Sequence, residues 1–202
     1  MLDNDQARRT VSRVITPVIN LLVRLRVTPD AITWVGGIGS VVTSTVFLSQ
    51  GRFLVGAILI GIFSLSDLLD GALARRLGTS GSWGAFLDST FDRVSDAAVI
   101  GALAYYFLTD SPHQDQRIGV FCLVALVMGQ LTSYARARAE GLGLDCKVGI
   151  AERAERSLIL WFGLLITSCG LNVLPFAIYV LAFASTVTVG QRILHVYHQT
   201  HS

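Results

Sequence analysis

Apolar residues fall in six runs separated by short polar connections, at 31–48, 53–74, 86–108, 118–136, 158–171 and 174–193. Each run predicts a membrane-crossing helix, since about 20 apolar residues at a rise of 1.5 Å each traverse the hydrocarbon. Ahead of them, residues 5–26 repeat with a helical period. Val11, Val14, Ile15, Val18, Ile19, Leu22 and Leu25 share one stripe, and Arg9, Arg13, Asn20 and Arg24 occupy the opposite side. This pattern predicts an amphipathic helix, either lying on the membrane with its basic face toward anionic headgroups or packed on the rest of the protein. The stripe is too narrow and interrupted for the apolar core of a secretory signal. The expected fold is therefore an all-α integral membrane protein, six transmembrane helices preceded by an N-terminal amphipathic interfacial helix. It forms one domain over 1–202, with the interfacial helix in 1–27 and the bundle in 28–198.

Composition agrees: 52% of residues are apolar and 15% charged, with a mean hydropathy of +0.58, whereas soluble domains are roughly 25% charged. A net charge of +2 offers no basic surplus for nucleic acid. The lysines and arginines are unevenly placed. Fourteen of the 16 fall on one side of the predicted spans, and only Arg52 and Arg117 fall on the other. That asymmetry predicts cytoplasmic termini, and the expected location is the cell's inner (plasma) membrane. Cys122 and Cys169 lie in apolar runs and Cys146 in a loop, which is no disulfide framework. His195, His198 and His201 have no acidic or cysteine companions on their helix and read as a basic tail. Small residues such as Gly36, Gly37, Gly39 and Ser40 let helix backbones approach closely in lipid. No internal repeat is evident, which argues against an inverted-repeat transporter.

The acids in the second and third runs are the chemical anomaly. An aspartate at the bilayer centre costs about 2.5–3.5 kcal/mol on insertion scales, yet Asp67, Asp70, Asp88, Asp92 and Asp96 cluster there. Asp67 and Asp70 are three apart, and Asp88, Asp92 and Asp96 are four apart, so each set lines one helix face. Two such faces turned together make an oxygen-rich pocket suited to hard divalent cations, Mg2+ or Mn2+. Two ions would balance four aspartates and could hold a pyrophosphate. Gly71 and Gly84 allow close approach, Arg75 can form paired hydrogen bonds with a phosphate, and Gly78, Thr79, Ser80 and Gly81 form a polar turn.

The run DLLDGALARRLGTSGSWGAFLDSTFD, residues 67–92, resembles the signature D-x2-D-G-x2-A-R-x8-G-x3-D-x3-D of the CDP-alcohol phosphatidyltransferase family at all eight fixed positions. The resemblance implies a homodimeric six-helix enzyme in which an alcohol hydroxyl attacks the phosphoryl group next to the lipid of a CDP-linked lipid and CMP leaves. By position it implies Asp67, Asp70, Asp88 and Asp92 as metal ligands, with Asp92 also the general base. Asp30, Ala31, Ile32, Thr33, Gly71, Arg75, Gly81 and Gly84 would contact CDP-diacylglycerol. The stretches 133–160 and 184–192, and VITPV with LLVRLRVTPDAIT near the start, are similar to actinobacterial phosphatidylinositol phosphate synthases. That subfamily's acceptor is inositol 1-phosphate. Its anionic phosphate calls for cations, and Arg136, Arg153, Arg156 and Arg192 stand at helix ends on the cytoplasmic side. At Arg136 the chain departs from the lysine commoner in the subfamily, which keeps the charge and changes the hydrogen-bond geometry.

Blander readings stand beside these. Thr28-Pro29-Asp30 is also a good helix start, the arginines are also topology determinants, and Asp96 could pair with Arg93 and is left off the metal set. Rival functions are an ion or proton transporter using the aspartates, a family relative accepting glycerol 3-phosphate (a phosphatidylglycerophosphate synthase), and a silent scaffold.

Overall fold

Thr28 caps the first long helix by accepting the Ala31 N–H at 3.3 Å, and Pro29 begins it, where its missing N–H costs nothing. The computed structural model describes residues 15–110 and 115–201. The elements are α1 (Ile15–Arg24), α2 (Pro29–Val46), α3 (Phe53–Ser64), α4 (Ser66–Leu77), α5 (Ser82–Tyr105), α6 (Gln116–Glu140), α7 (Arg153–Ser168) and α8 (Leu174–His201). Short single-turn pieces follow α2 (Leu48–Gln50) and α5 (Tyr106–Asp110), and no strand occurs among the described residues.

The long helices close a circuit of neighbours, α2 on α5, α5 on α6, α6 on α8, α8 on α7, α7 on α3 and α3 back on α2, with α4 also against α2. Leu48, Leu103, Cys122, Leu164 and Leu174 are fully or almost fully buried in the core, and large apolar side chains such as Val35, Phe176 and Phe183 cover the outside. Packing inside a membrane depends on small residues and a few polar ties. Gly163 sits so close to Ala177 that an added Cβ would stand 2.9 Å from the Ala177 Cβ. Trp161 Nε1 on α7 donates to the Ala57 carbonyl of α3 at 2.9 Å.

Four helical stretches are long and apolar enough to cross a membrane: Pro29–Gln50, Phe53–Leu77, Gln116–Glu140 and Leu174–His201. The two other expected crossings fall short for physical reasons. Helix α5 carries Asp88, Asp92, Arg93 and Asp96, and α7 has only 16 residues. The second apolar run is also interrupted, since α3 ends at Ser64 and α4 starts at Ser66.

Helices extend beyond the apolar runs, because backbone hydrogen bonding continues where hydropathy falls. α5 begins at Ser82, α7 at Arg153, α6 continues to Glu140 and α8 to His201. From the N-terminal stripe, Ile15, Ile19 and Leu22 pack on Ile32, Leu69 and Leu73, so the described part of that helix rests on the protein, while Val18 and Leu25 are exposed. Its remaining expected members, Arg9, Val11, Arg13 and Val14, lie outside the described residues.

Candidate active site

A tight turn sets the level of the acids. α4 ends at Leu77 with Gly78 in the left-handed region (φ 67°), where a Cβ would be strained. Thr79 N–H returns to the Ala74 carbonyl at 3.0 Å, and α5 opens after Gly81. At 1.5 Å per residue, Asp67 and Asp92 each lie roughly 15 Å from that turn and so meet at one depth. Asp67, Asp88 and Asp92 each offer a carboxylate oxygen, all within 4.8 Å of one another. Three anions so close require a cation. A donor set of three carboxylate oxygens has the chemistry to hold a hard divalent ion.

Asp70 stands apart from this trio. It is 7% exposed, its Oδ2 accepts from Thr33 Oγ1 at 2.6 Å, and its Oδ1 accepts from the Gly71 N–H at 2.5 Å. The N-terminal end of α2 therefore holds the fourth signature aspartate. Asp30, in the first turn of that helix, accepts from Trp83 Nε1 at 3.0 Å, linking the starts of α2 and α5. The spacing showed neither link, because each joins residues distant in the chain. Ala31 is exposed and Ile32 buried. Gly71 lies under Arg75, whose Nη1 would be 3.4 Å from an added Cβ, whereas Gly84 has open space around it. Gly81 is the extended residue before α5.

Thr33→Val is expected to destabilise the protein by about 1–3 kcal/mol, because a buried carboxylate oxygen loses its partner. Thermal unfolding in detergent without metal would measure this, and an unchanged midpoint would refute the assignment.

The four arginines occupy distinct settings. Arg153, the first residue of α7, places Nη2 against Asp92 Oδ1 and 3.5 Å from Asp67 Oδ2. Arg156 is 6% exposed, donates through Nη1 to the Ala151 carbonyl at 3.3 Å and lies 3.7 Å from Asp96. Arg192, 3% exposed, uses Nε on the Val148 carbonyl at 2.9 Å and Nη1 on the Thr132 carbonyl. Arg136 pairs with Glu140 at 2.9 Å on its own helix. Asp96 lies between Arg93 and Arg156, 3.7 Å from each.

A polar stripe on α8 that sequence reasoning missed holds the loop leading to Arg153. Thr188 accepts from the Ala151 N–H at 3.2 Å, Gln191 from the Ile150 N–H at 3.2 Å and Gln199 from the Asp145 N–H at 3.2 Å. The spacing of these three along one helix was its only signal. Beside the acids, Asp96, Gln130, Arg153 and Arg156 join mainly apolar residues around a cavity of about 300 Å³.

Residues 26–190 match the family model described as CDP-alcohol phosphatidyltransferase. The phosphatidylinositol phosphate synthase of Cutibacterium acnes is 40% identical over 194 residues, covering 92% of this chain and 93% of that one. That of Streptomyces avermitilis is 39% identical over 202 residues, covering 96% and 82%. The crystal structure of the Mycobacterium tuberculosis phosphatidylinositol phosphate synthase with CDP-DAG bound superposes with a TM-score of 0.86 at 35% identity, covering 92% of this chain and 94% of that one. The same enzyme in complex with manganese and citrate gives 0.86 at 35% identity, covering 91% and 88%. A signature complete at every fixed position, acids gathered at one level and a family match over most of the chain agree: the chain belongs to the CDP-alcohol phosphatidyltransferase family.

Proposed function

We propose that this protein is a phosphatidylinositol phosphate synthase that transfers the phosphatidyl group of CDP-diacylglycerol to inositol 1-phosphate and releases CMP. The convergence of Asp67, Asp88 and Asp92 within 4.8 Å, inside the family signature, carries the reading. The relatives named for this reaction, at 39–40% identity, support the acceptor.

Asp67, Asp70, Asp88 and Asp92 would hold two divalent ions, Mg2+ or Mn2+, which when bound neutralise the pyrophosphate and the departing CMP. The remaining work belongs to the chain. Arg75 pairs with a phosphate of CDP-diacylglycerol, the Asp30–Ala31–Ile32–Thr33 turn meets its nucleotide, and Gly71, Gly81 and Gly84 leave their backbone accessible. Arg136, Arg153, Arg156 and Arg192 receive the acceptor phosphate. The acceptor hydroxyl attacks the phosphorus next to the lipid, its proton passes to Asp92, and the bond from that phosphorus to the CMP oxygen breaks. Positioning and charge stabilisation supply most of the acceleration in such a transfer.

The same reading makes residues 1–202 one domain, with an interfacial helix within 1–27 and six crossings in 28–198, working as a homodimer in the inner (plasma) membrane. Placing fourteen of the 16 lysines and arginines on one side supports cytoplasmic termini and a cytoplasmic site.

An acceptor panel with purified protein, run with and without chelator, tests the assignment. CMP release from CDP-diacylglycerol is expected only with inositol 1-phosphate and a divalent ion present. Use of glycerol 3-phosphate with inositol 1-phosphate ignored would overturn the acceptor, and release insensitive to chelator would overturn the metal assignment.

A further inference from the structure

We infer that Arg153 is the built-in counter-cation of the acid trio, that a divalent ion must displace it, and that the displaced guanidinium then receives the acceptor phosphate. Metal and acceptor binding are thereby coupled. The last step rests on the acceptor reading above.

Geometry singles out this arginine. Its Nη2 touches Asp92 Oδ1 and lies 3.5 Å from Asp67 Oδ2, so it is set on two of the three carboxylates whose oxygens converge within 4.8 Å. An ion bound at about 2.0–2.6 Å from those oxygens and a guanidinium in contact with them cannot share the position. The other acceptor-side arginines are held elsewhere: Arg156 by the Ala151 carbonyl and Asp96, Arg192 by two backbone carbonyls, and Arg136 by Glu140. Arg153, by contrast, is tied down through its tip. Its Nε is buried without a hydrogen-bond partner, so leaving the trio breaks no second anchor. It also lines the cavity of about 300 Å³ beside Arg156 and Asp96, which gives the side chain space to move.

The energetics run in one direction. Three partly exposed carboxylates at this separation repel one another, and leaving their charge unbalanced is costly. Arg153 offsets that repulsion until an ion replaces it, and so weakens apparent metal affinity. A phosphate that binds the displaced guanidinium favours the metal-loaded arrangement. Linkage requires the metal to tighten the acceptor by the same factor.

Mn2+ titration followed by electron paramagnetic resonance, on purified protein in detergent without substrate, tests the first half. Arg153→Gln is expected to bind Mn2+ roughly 5- to 150-fold more tightly than the parent, the usual range of coupling between sites. Arg93→Gln is the control for charge alone, because Arg93 faces one member of the trio, Asp92, at 3.9 Å. Its gain should be clearly smaller. No gain in Arg153→Gln, or an equal gain in Arg93→Gln, overturns the proposal.

The second half needs only the parent protein, so it does not depend on a variant folding. Saturating inositol 1-phosphate should tighten Mn2+ binding, and Mn2+ should tighten inositol 1-phosphate equally; a parent whose Mn2+ affinity ignores it overturns the coupling. If the acceptor panel selects glycerol 3-phosphate, the acceptor assignment alone has failed and the coupling is read with that compound. The substrate-free Mn2+ comparison judges the displacement in either case.

Discussion

Asp92→Asn is expected to lower turnover by roughly 10²- to 10⁴-fold, the usual contribution of a positioned general base, while CDP-diacylglycerol still binds. The amide has no basic oxygen to take the hydroxyl proton. It also removes one of the three converging negative charges and the ion pair that Arg153 makes with Asp92. Nucleotide-side residues are independent of it, since Asp30 is tied to Trp83 and Thr33 to Asp70. The measurement pairs steady-state CMP release with equilibrium binding of CDP-diacylglycerol. Asp96→Asn is the comparison on the same face: this acid lies between Arg93 and Arg156 and is absent from the trio, so its loss should be smaller. Substantial activity in Asp92→Asn would remove that residue from the proton transfer, and loss of lipid-nucleotide binding would make its role one of assembly.

The acid site was legible because local spacing determines which side chains share a helix face. Asp88 and Asp92 fall one turn apart on α5, and the turn after Leu77 brings Asp67 to their level. The apolar runs located the helices but missed their charged terminal turns, among them the start of α7 that carries Arg153 and Arg156. What stayed hidden is what long-range packing decides. No local pattern says that Thr33 would hold Asp70, that Trp83 would hold Asp30, or that Arg192 would tie the loop before α7 to α6 through the Val148 and Thr132 carbonyls. Charge alone suggested four equivalent arginines at one helix-end layer. The fold instead distinguishes them by what each already touches, and of these four it is Arg153 that meets the acid trio.

Gly37→Val is expected to separate α2 from α5 and to cost about 1–3 kcal/mol, the usual range for overpacking, with a weakened Mn2+ affinity alongside. Gly37 is buried, and a Cβ there would overlap the Phe91 ring, whose residue immediately precedes Asp92. Its neighbour Gly36 stands in the same relation to Ser66, which immediately precedes Asp67. Helix α2 thus lies against both acid-bearing helices through two adjacent glycines, and their missing side chains set how closely Asp67 and Asp92 approach. A branched side chain at 37 must displace Phe91, and the displacement is passed along α5 to the neighbouring carboxylate, because packed interiors do not absorb such shifts without strain. Gly101→Ala provides the contrast on α5, since nothing lies within 4 Å of its Cβ position; there the gain in helix propensity should leave stability unchanged or raised by about 0.5–1 kcal/mol. Thermal unfolding in detergent and Mn2+ titration on both variants would decide. If Gly37→Val melts and binds Mn2+ like the parent, the glycine pair is not what holds the carboxylates at metal-sharing distance.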